Sequence, residues 1–212
     1  MQTREELLQH KEIDDGMLKA AYDKAAELIK SATNQFTEQF PREASVNNFY
    51  QQGTNYEWTP GFWTGEVWLA YEKTGDGALR NTAEIEVKDF YRRIKEKEGV
   101  NHHDMGFLYC PSCVAAYKLT GNTTGKEAAI MAADNLMTRF HEKGQFFSGL
   151  GKAGGREQLP YDYRLLLNMP LLFWAGEVTG EENYIRKAEA HIKTAMKNII
   201  REDHSTYHTF FL

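Results

Sequence analysis

From Trp63 onward the chain alternates between two kinds of hydrophobic pattern. The first kind is apolar on nearly every side: "WLAYEKTGD", "AAYKLTGN" and "FWAGEVTGE", ending at Asp76, Asn122 and Glu181. Each closes on Thr-Gly and a small polar or acidic residue. Gly75, Gly121 and Gly180 suit the left-handed backbone of a helix C-terminus, where a Cβ is penalised. The second kind follows each turn, with apolar positions recurring at helical spacing among charges: "ALRNTAEIEVKDFYRRIKEKEG", "GKEAAIMAADNLMTRFHEKG" and "ENYIRKAEAHIKTAMKNIIRED". In the last, Tyr184, Ile185, Ala188, Ile192, Ala195, Met196 and Ile199 form one stripe, which predicts an amphipathic helix. No alternating pattern of comparable length predicts a strand. The chain reads as all-α.

A repeated pair of apolar helix, tight turn and amphipathic helix predicts an α/α toroid, with apolar helices inside and amphipathic ones outside. The turn glycines lie 46 and then 59 residues apart, and the longer interval holds an extra loop, "GLGKAGGREQLPYDYR". Residues 1–212 read as one domain: an N-terminal helix, three pairs, and the start of a fourth unit. That is an incomplete barrel of about seven helices, whose open edge exposes inner-helix surface and predicts self-association.

In such a ring the connections from outer to next inner helix share one end. They are "GTNYEWTPGFW", "VNHHDMGF", the loop ending "YDYR", and "DHSTYHTFF", and they hold the unusual chemistry of the chain. Trp58 precedes its helix and suits an indole platform for the C–H face of a sugar, whereas Trp63 reads equally as core. Asp104 could simply cap a helix. The adjacent His102 and His103 point instead to a carboxylate that grips hydroxyls or moves a proton. Asp162, near Arg164, reads either as a second carboxylate across the ring, as in glycoside-cleaving enzymes, or as a loop residue and cap. His208 shares the same end. Cys110 and Cys113 have a zinc-ligand spacing with two histidines nearby. Pro111-Ser112 between them, the run into helix and the lack of a second C-x-x-C favour buried thiols, and no metal is expected.

Composition narrows the partners. With 42% apolar, 26% charged and 13% aromatic residues and a net charge of −5, the chain reads as a soluble globular protein. It has no basic patch for nucleic acid, no secretory leader pattern at its start and no run long enough for a membrane span. A cytoplasmic protein with reduced cysteines is the expectation.

The segments "NNFYQ", "EWTPGFWTGEVWLAYE", "NHHDMGFLYCPSCVAAYKLTG", "LLNMPLLFWAGEVTG" and "YHTFF" resemble the unsaturated glucuronyl hydrolases of bacteria, especially streptococcal-type members. The resemblance extends from about residue 47 to the C-terminus. It implies a six-hairpin α/α barrel acting, without cofactor or metal, on unsaturated uronic-acid oligosaccharides left by lyases from hyaluronan or chondroitin. In that family an aspartic acid protonates C4 of the C4–C5 double bond, water adds at C5, and the hemiketal opens to expel the remaining sugar. Position by position, the resemblance makes Asp104 the sugar-binding catalytic-site aspartate, His103 its substrate-binding neighbour, Trp58 the stacking tryptophan and His208 the histidine of the "HTF" segment. It also marks departures. Aligned from Asn168, Arg164 stands where relatives carry the proton-donor aspartate, and arginine stays protonated at neutral pH; aligned from Tyr163-Arg164, the segment with that aspartate is deleted. "FFSGLGK" lacks a tryptophan usual there, and the final half of the family barrel lies beyond Leu212. Asp162 is then the replacement acid. The alternatives are a degenerate carbohydrate-binding module and an assembly fragment without turnover.

Overall fold

The structure is a computed structural model that describes residues 13–149, 160–207 and 209–211, with backbone only at 160–165 and 209–211. The helices are α1 (Asp15–Ala32), α2 (Pro60–Thr74), α3 (Gly77–Lys95), α4 (Met105–Tyr109), α5 (Ala115–Thr120), α6 (Thr123–Met137), α7 (Met169–Thr179) and α8 (Glu182–Ile199). A π-helical turn, Cys110–Val114, joins α4 to α5 into one inner helix, and a 3₁₀ turn, Tyr163–Asn168, leads into α7. Inner α2, α4–α5 and α7 pair with outer α3, α6 and α8, the incomplete toroid the repeat predicts.

The Thr-Gly punctuation has a local cause. Thr74, Thr120 and Thr179 each donate Oγ1 to the carbonyl four residues back, on Ala70, Ala116 and Ala175, at 2.7 Å. The glycines that follow are left-handed, with φ of 70°, 71° and 77°. Thr74 and Thr179 also accept the N–H of Asp76 and of Glu181 at 3.2 Å, tying the turn to the next helix. Asp76 and Asn122 then cap α3 and α6 by accepting from Ala78 and Gly125.

The outer helices bury one stripe each. On α8 it runs Tyr184, Ala188, His191, Ala195, Ile199, so His191 is interior while Met196 is 58% exposed, the reverse of the apolar reading of that stretch. Helix–helix approach is set by missing side chains. A Cβ on Gly61 would stand 2.4 Å from the Phe107 carbonyl oxygen, and one on Gly106 would stand 2.3 Å from Asn168 Cα. Thus neighbouring inner helices touch backbone to backbone at their entrances. Pro111 lacks the N–H that a regular helix needs, and the ladder widens there into the π turn. The turn presents the Ser112 carbonyl to the Trp68 indole N–H at 2.9 Å.

Short strands accompany the helices. Strands β1 (Phe40–Val46) and β2 (Phe49–Gly53) form an antiparallel hairpin, and β3 (Phe140–His141) with β4 (Phe146–Phe147) and β5 (Pro160–Asp162) with β6 (Thr209–Phe211) make two short ribbons. The turn of the first hairpin is Asn47-Asn48, both at positive φ (52° and 65°), a strong hairpin signal. These ribbons decorate the toroid without changing its class.

Apolar side chains stay uncovered on the inner face of α2, where Phe62 is 41% and Leu69 51% exposed. Between α2 and α5 a groove of about 490 Å³ runs along this face, lined by Phe62, Leu69, Pro111, Ala115 and Leu119 among others. Among the described residues no helix is long and apolar enough to cross a membrane.

Candidate functional site

Asp104 stands immediately before α4, but its side chain makes no cap bond. The carboxylate turns to the two histidines before it: Oδ1 lies 3.1 Å from His103 Nε2 and Oδ2 lies 3.4 Å from His102 Nδ1. The helix-cap reading of Asp104 is therefore set aside. His103 is buried, and its Nδ1 donates to the Gly149 carbonyl. A carbonyl only accepts, so both His103 contacts are satisfied together when both ring nitrogens carry protons. Burial pushes the Asp104 carboxyl up, but the hydrogen bonds and charges of His102 and His103 outweigh it and hold Asp104 well below the usual carboxylate range.

Behind this trio sit two buried arginines. Arg139, 2% exposed, donates to Asn101 Oδ1 at 2.9 Å. Burial lowers its proton affinity while the nearby Asp104 charge opposes that. Arg93, at the end of α3, reaches His102 Nε2 at 3.3 Å. On its other side, His102 Nδ1 accepts the Asp104 backbone N–H at 3.1 Å.

In front lies an aromatic rim. Trp58 is 46% exposed and meets Phe62 and Phe107 edge-on, with centroids 6.1 and 5.9 Å away, and Phe62 meets Phe107 at 5.6 Å. Phe107 lies three residues beyond Asp104, in α4. Phe62 and Phe107 were absent from the sequence-derived site. Their signal was the Gly-Phe pair shared by "PGFW" and "MGFL", whose glycines let the backbones meet. Trp63, by contrast, is core: its indole N–H donates to Glu86 Oε1 at 2.8 Å.

The structure thus sets His103 on the Asp104 carboxylate and packs Trp58 on Phe107, three residues beyond Asp104. For Asp162, in β5, the backbone is described: it pairs with Thr209 of β6, so the third loop runs beside the "HTF" segment. His208 lies outside the described residues. Cys110 and Cys113 lie in the π turn, and burial pushes both thiols up to about 12. Among the described residues no three His, Cys, Asp or Glu side chains group as a metal site.

An open α/α ring with an ionised carboxylate clasped by imidazoles behind an aromatic rim defines a toroid of the glycosidase class. The family model Glycosyl Hydrolase Family 88 matches residues 28–209, and the chain belongs to that family. It is 42% identical over 191 residues to the unsaturated chondroitin disaccharide hydrolase of Streptococcus pneumoniae, across 90% of this chain and 48% of the relative. The unsaturated glucuronyl hydrolase structure from Streptococcus agalactiae superposes with a TM-score of 0.92 at 40% identity, covering 97% of this chain and 52% of that one. A variant of the agalactiae enzyme complexed with dGlcA-GalNAc6S matches at a TM-score of 0.80 and 37% identity, over 96% of this chain and 48% of that chain. The chain spans about half the length of the relatives it matches.

Proposed function

We propose that this chain binds the terminal unsaturated uronic acid of lyase-generated glycosaminoglycan disaccharides and hydrates its C4–C5 double bond. The observation that carries the reading is the His102–His103–Asp104 clasp, with Trp58 packed on Phe107 of the helix that follows it. The aromatic edge offers an apolar platform for a sugar ring, and an ionised carboxylate accepts hydrogen bonds from ring hydroxyls or from the attacking water.

The electrostatics divide the labour. Asp104 is held ionised by its histidines, so it orients hydroxyls or water and is a poor proton donor at neutral pH. The proton for C4 must come from another acid, and Asp162 is the carboxylate that the third loop offers. Protonation at C4 leaves positive charge at C5 and the ring oxygen, water adds at C5, and the hemiketal releases the second sugar as it opens. A second reading, binding without turnover, is favoured by Arg164, which stands at the usual donor position of the family resemblance.

One assay separates them: the purified chain is mixed with unsaturated chondroitin disaccharide, and the ultraviolet absorbance of the conjugated double bond is followed. Decay abolished by Asp104→Asn and slowed about 10²–10⁴-fold by Asp162→Asn supports the hydratase. Saturable binding without decay assigns the second reading. A folded sample with neither refutes both.

A further inference from the structure

Two of the loops at the site end are held by the same device. Arg93, fully buried, donates Nη1 to Asn55 Oδ1 at 2.9 Å and to the Glu57 carbonyl at 3.0 Å. Its Nη2 donates to the carbonyls of Tyr56 at 2.9 Å and Gly99 at 2.8 Å. Arg139 donates Nη2 to Asn101 Oδ1 at 2.9 Å. The two arginines occupy equivalent places in the repeat, each 18 residues after its turn glycine: "RIKEKEG" from residue 93 in the last turn of α3, and "RFHEKG" from residue 139 just past the end of α6. Each asparagine lies 38 residues before its arginine. Asn55 lies three residues before Trp58, and Asn101 lies three residues before Asp104.

We propose that Arg93 and Arg139 are repeated positioning residues, each fixing through its asparagine the site residue three positions on, Trp58 and Asp104 respectively. Arg93 also ties the two loops together, since it holds the first at Asn55, Tyr56 and Glu57 and the second at Gly99 and His102. Among the described residues Arg93 makes no ion pair. Its charge is balanced by an amide and three backbone carbonyls, an arrangement that uses the planar fork of guanidinium and that the single ammonium of lysine cannot reproduce. A buried cation without a counterion is costly for stability alone. What it secures is the register of a loop whose residues Tyr56, Glu57 and Trp58 are all exposed. Sites need such support, because small displacements of a binding group cost large factors in function.

This assignment rests on the sugar-site reading for its functional consequence, but the clamp itself has a readout that needs no sugar. Asn55→Ala and Asn101→Ala are compared with Asn55→Asp and Asn101→Asp, which keep the accepting oxygen. Tyr184→Phe, which removes an unrelated hydrogen bond to Asp134, controls for lost stability. The imidazole ¹⁵N–¹H spectrum reports His102 and His103, with His191 as the distant reference. The expected result for Asn101→Ala and for Arg93→Lys is movement of the His102 or His103 signals with His191 still. The alanine variants should bind unsaturated chondroitin disaccharide about tenfold more weakly, and the aspartates should restore affinity. Should the alanine variants fail to fold, Arg93→Lys and the aspartate pair decide. Unmoved site imidazoles, or an equal loss of affinity in Tyr184→Phe, would overturn the proposal. Wild-type protein that binds no sugar while the imidazoles still respond would refute the sugar reading and leave the clamp standing.

Discussion

The strongest quantitative expectation concerns Glu86, a carboxyl that the proposed chemistry does not use. It sits on the buried stripe of α3, 1% exposed, where Oε1 accepts from Trp63 at 2.8 Å. Burial raises its pKa from 4.5 to about 8, against the opposing hydrogen bonds of Thr64 and Trp63. In the unfolded chain the group ionises near its ordinary value, so between these limits the native state holds a proton that the unfolded state has released. Stability therefore falls as pH rises from 4.5 to about 8 and is level above that. At about 1.4 kcal/mol for each pH unit, the loss across the window approaches 5 kcal/mol, a large part of the stability of an ordinary domain.

Glu86→Gln removes the titration, keeps an oxygen for Trp63 and places an amide where Oε2 stood. Urea unfolding followed by circular dichroism at pH 5, 6, 7, 8 and 9 should give a variant-minus-wild-type difference that grows with pH, reaching about 3–5 kcal/mol at the alkaline end. Taking the difference matters, because His191 contributes an opposite slope in the acid half of the range. A difference that stays constant from pH 5 to 9 would refute the reasoning, for it would mean that Glu86 ionises in the native state as readily as in the unfolded one.

Two further expectations follow from burial and from close approach. Burial pushes His191 down from 6.5 to about 4, and its Nδ1 accepts the Phe147 N–H at 3.2 Å. Between those values the unfolded chain takes up the proton first, so stability falls as pH drops from 6.5 to about 4. The Cε1 proton signal of His191 should titrate near pH 4, and a midpoint near its ordinary value would refute the assignment. Gly61→Ala drives a Cβ to 2.5 Å from the Leu108 carbonyl oxygen, so α2 and α4 must separate; a loss of about 1–3 kcal/mol in thermal unfolding is expected. Gly77→Ala meets nothing within 4 Å and should be neutral or slightly stabilising, so equal effects of the two substitutions would contradict the packing.

What could be read from the sequence was what neighbours in the chain decide among themselves. The Thr-Gly turns were legible because the threonine hydroxyl, the left-handed glycine and the cap all act within six residues. The clasp around Asp104 was legible because its three members are consecutive. The β1–β2 hairpin is equally local, set by its Asn47-Asn48 turn rather than by a long alternating run. Asp162 and His208 are different: their relation to Asp104 depends on how a long loop and the last described strand meet, and nothing local fixes that.

The clamp shows where sequence patterns stop. Arg92 and Arg93 are adjacent in a helix crowded with charge, and by composition they are interchangeable. Arg92 points outward to Asp89, Glu96 and Glu98, the usual life of a surface arginine, while Arg93, one position and about 100° further round the helix, is buried against two loops. Amphipathic reading puts an arginine outside by default, so the residue that joins the site loops lay in a stretch assigned to solvent. The repeat supplies the missing constraint. If the second pair carries a buried arginine at the same place, with an asparagine three residues ahead of a site residue, then burial at both places has a common cause, and that cause lies in the loops they hold.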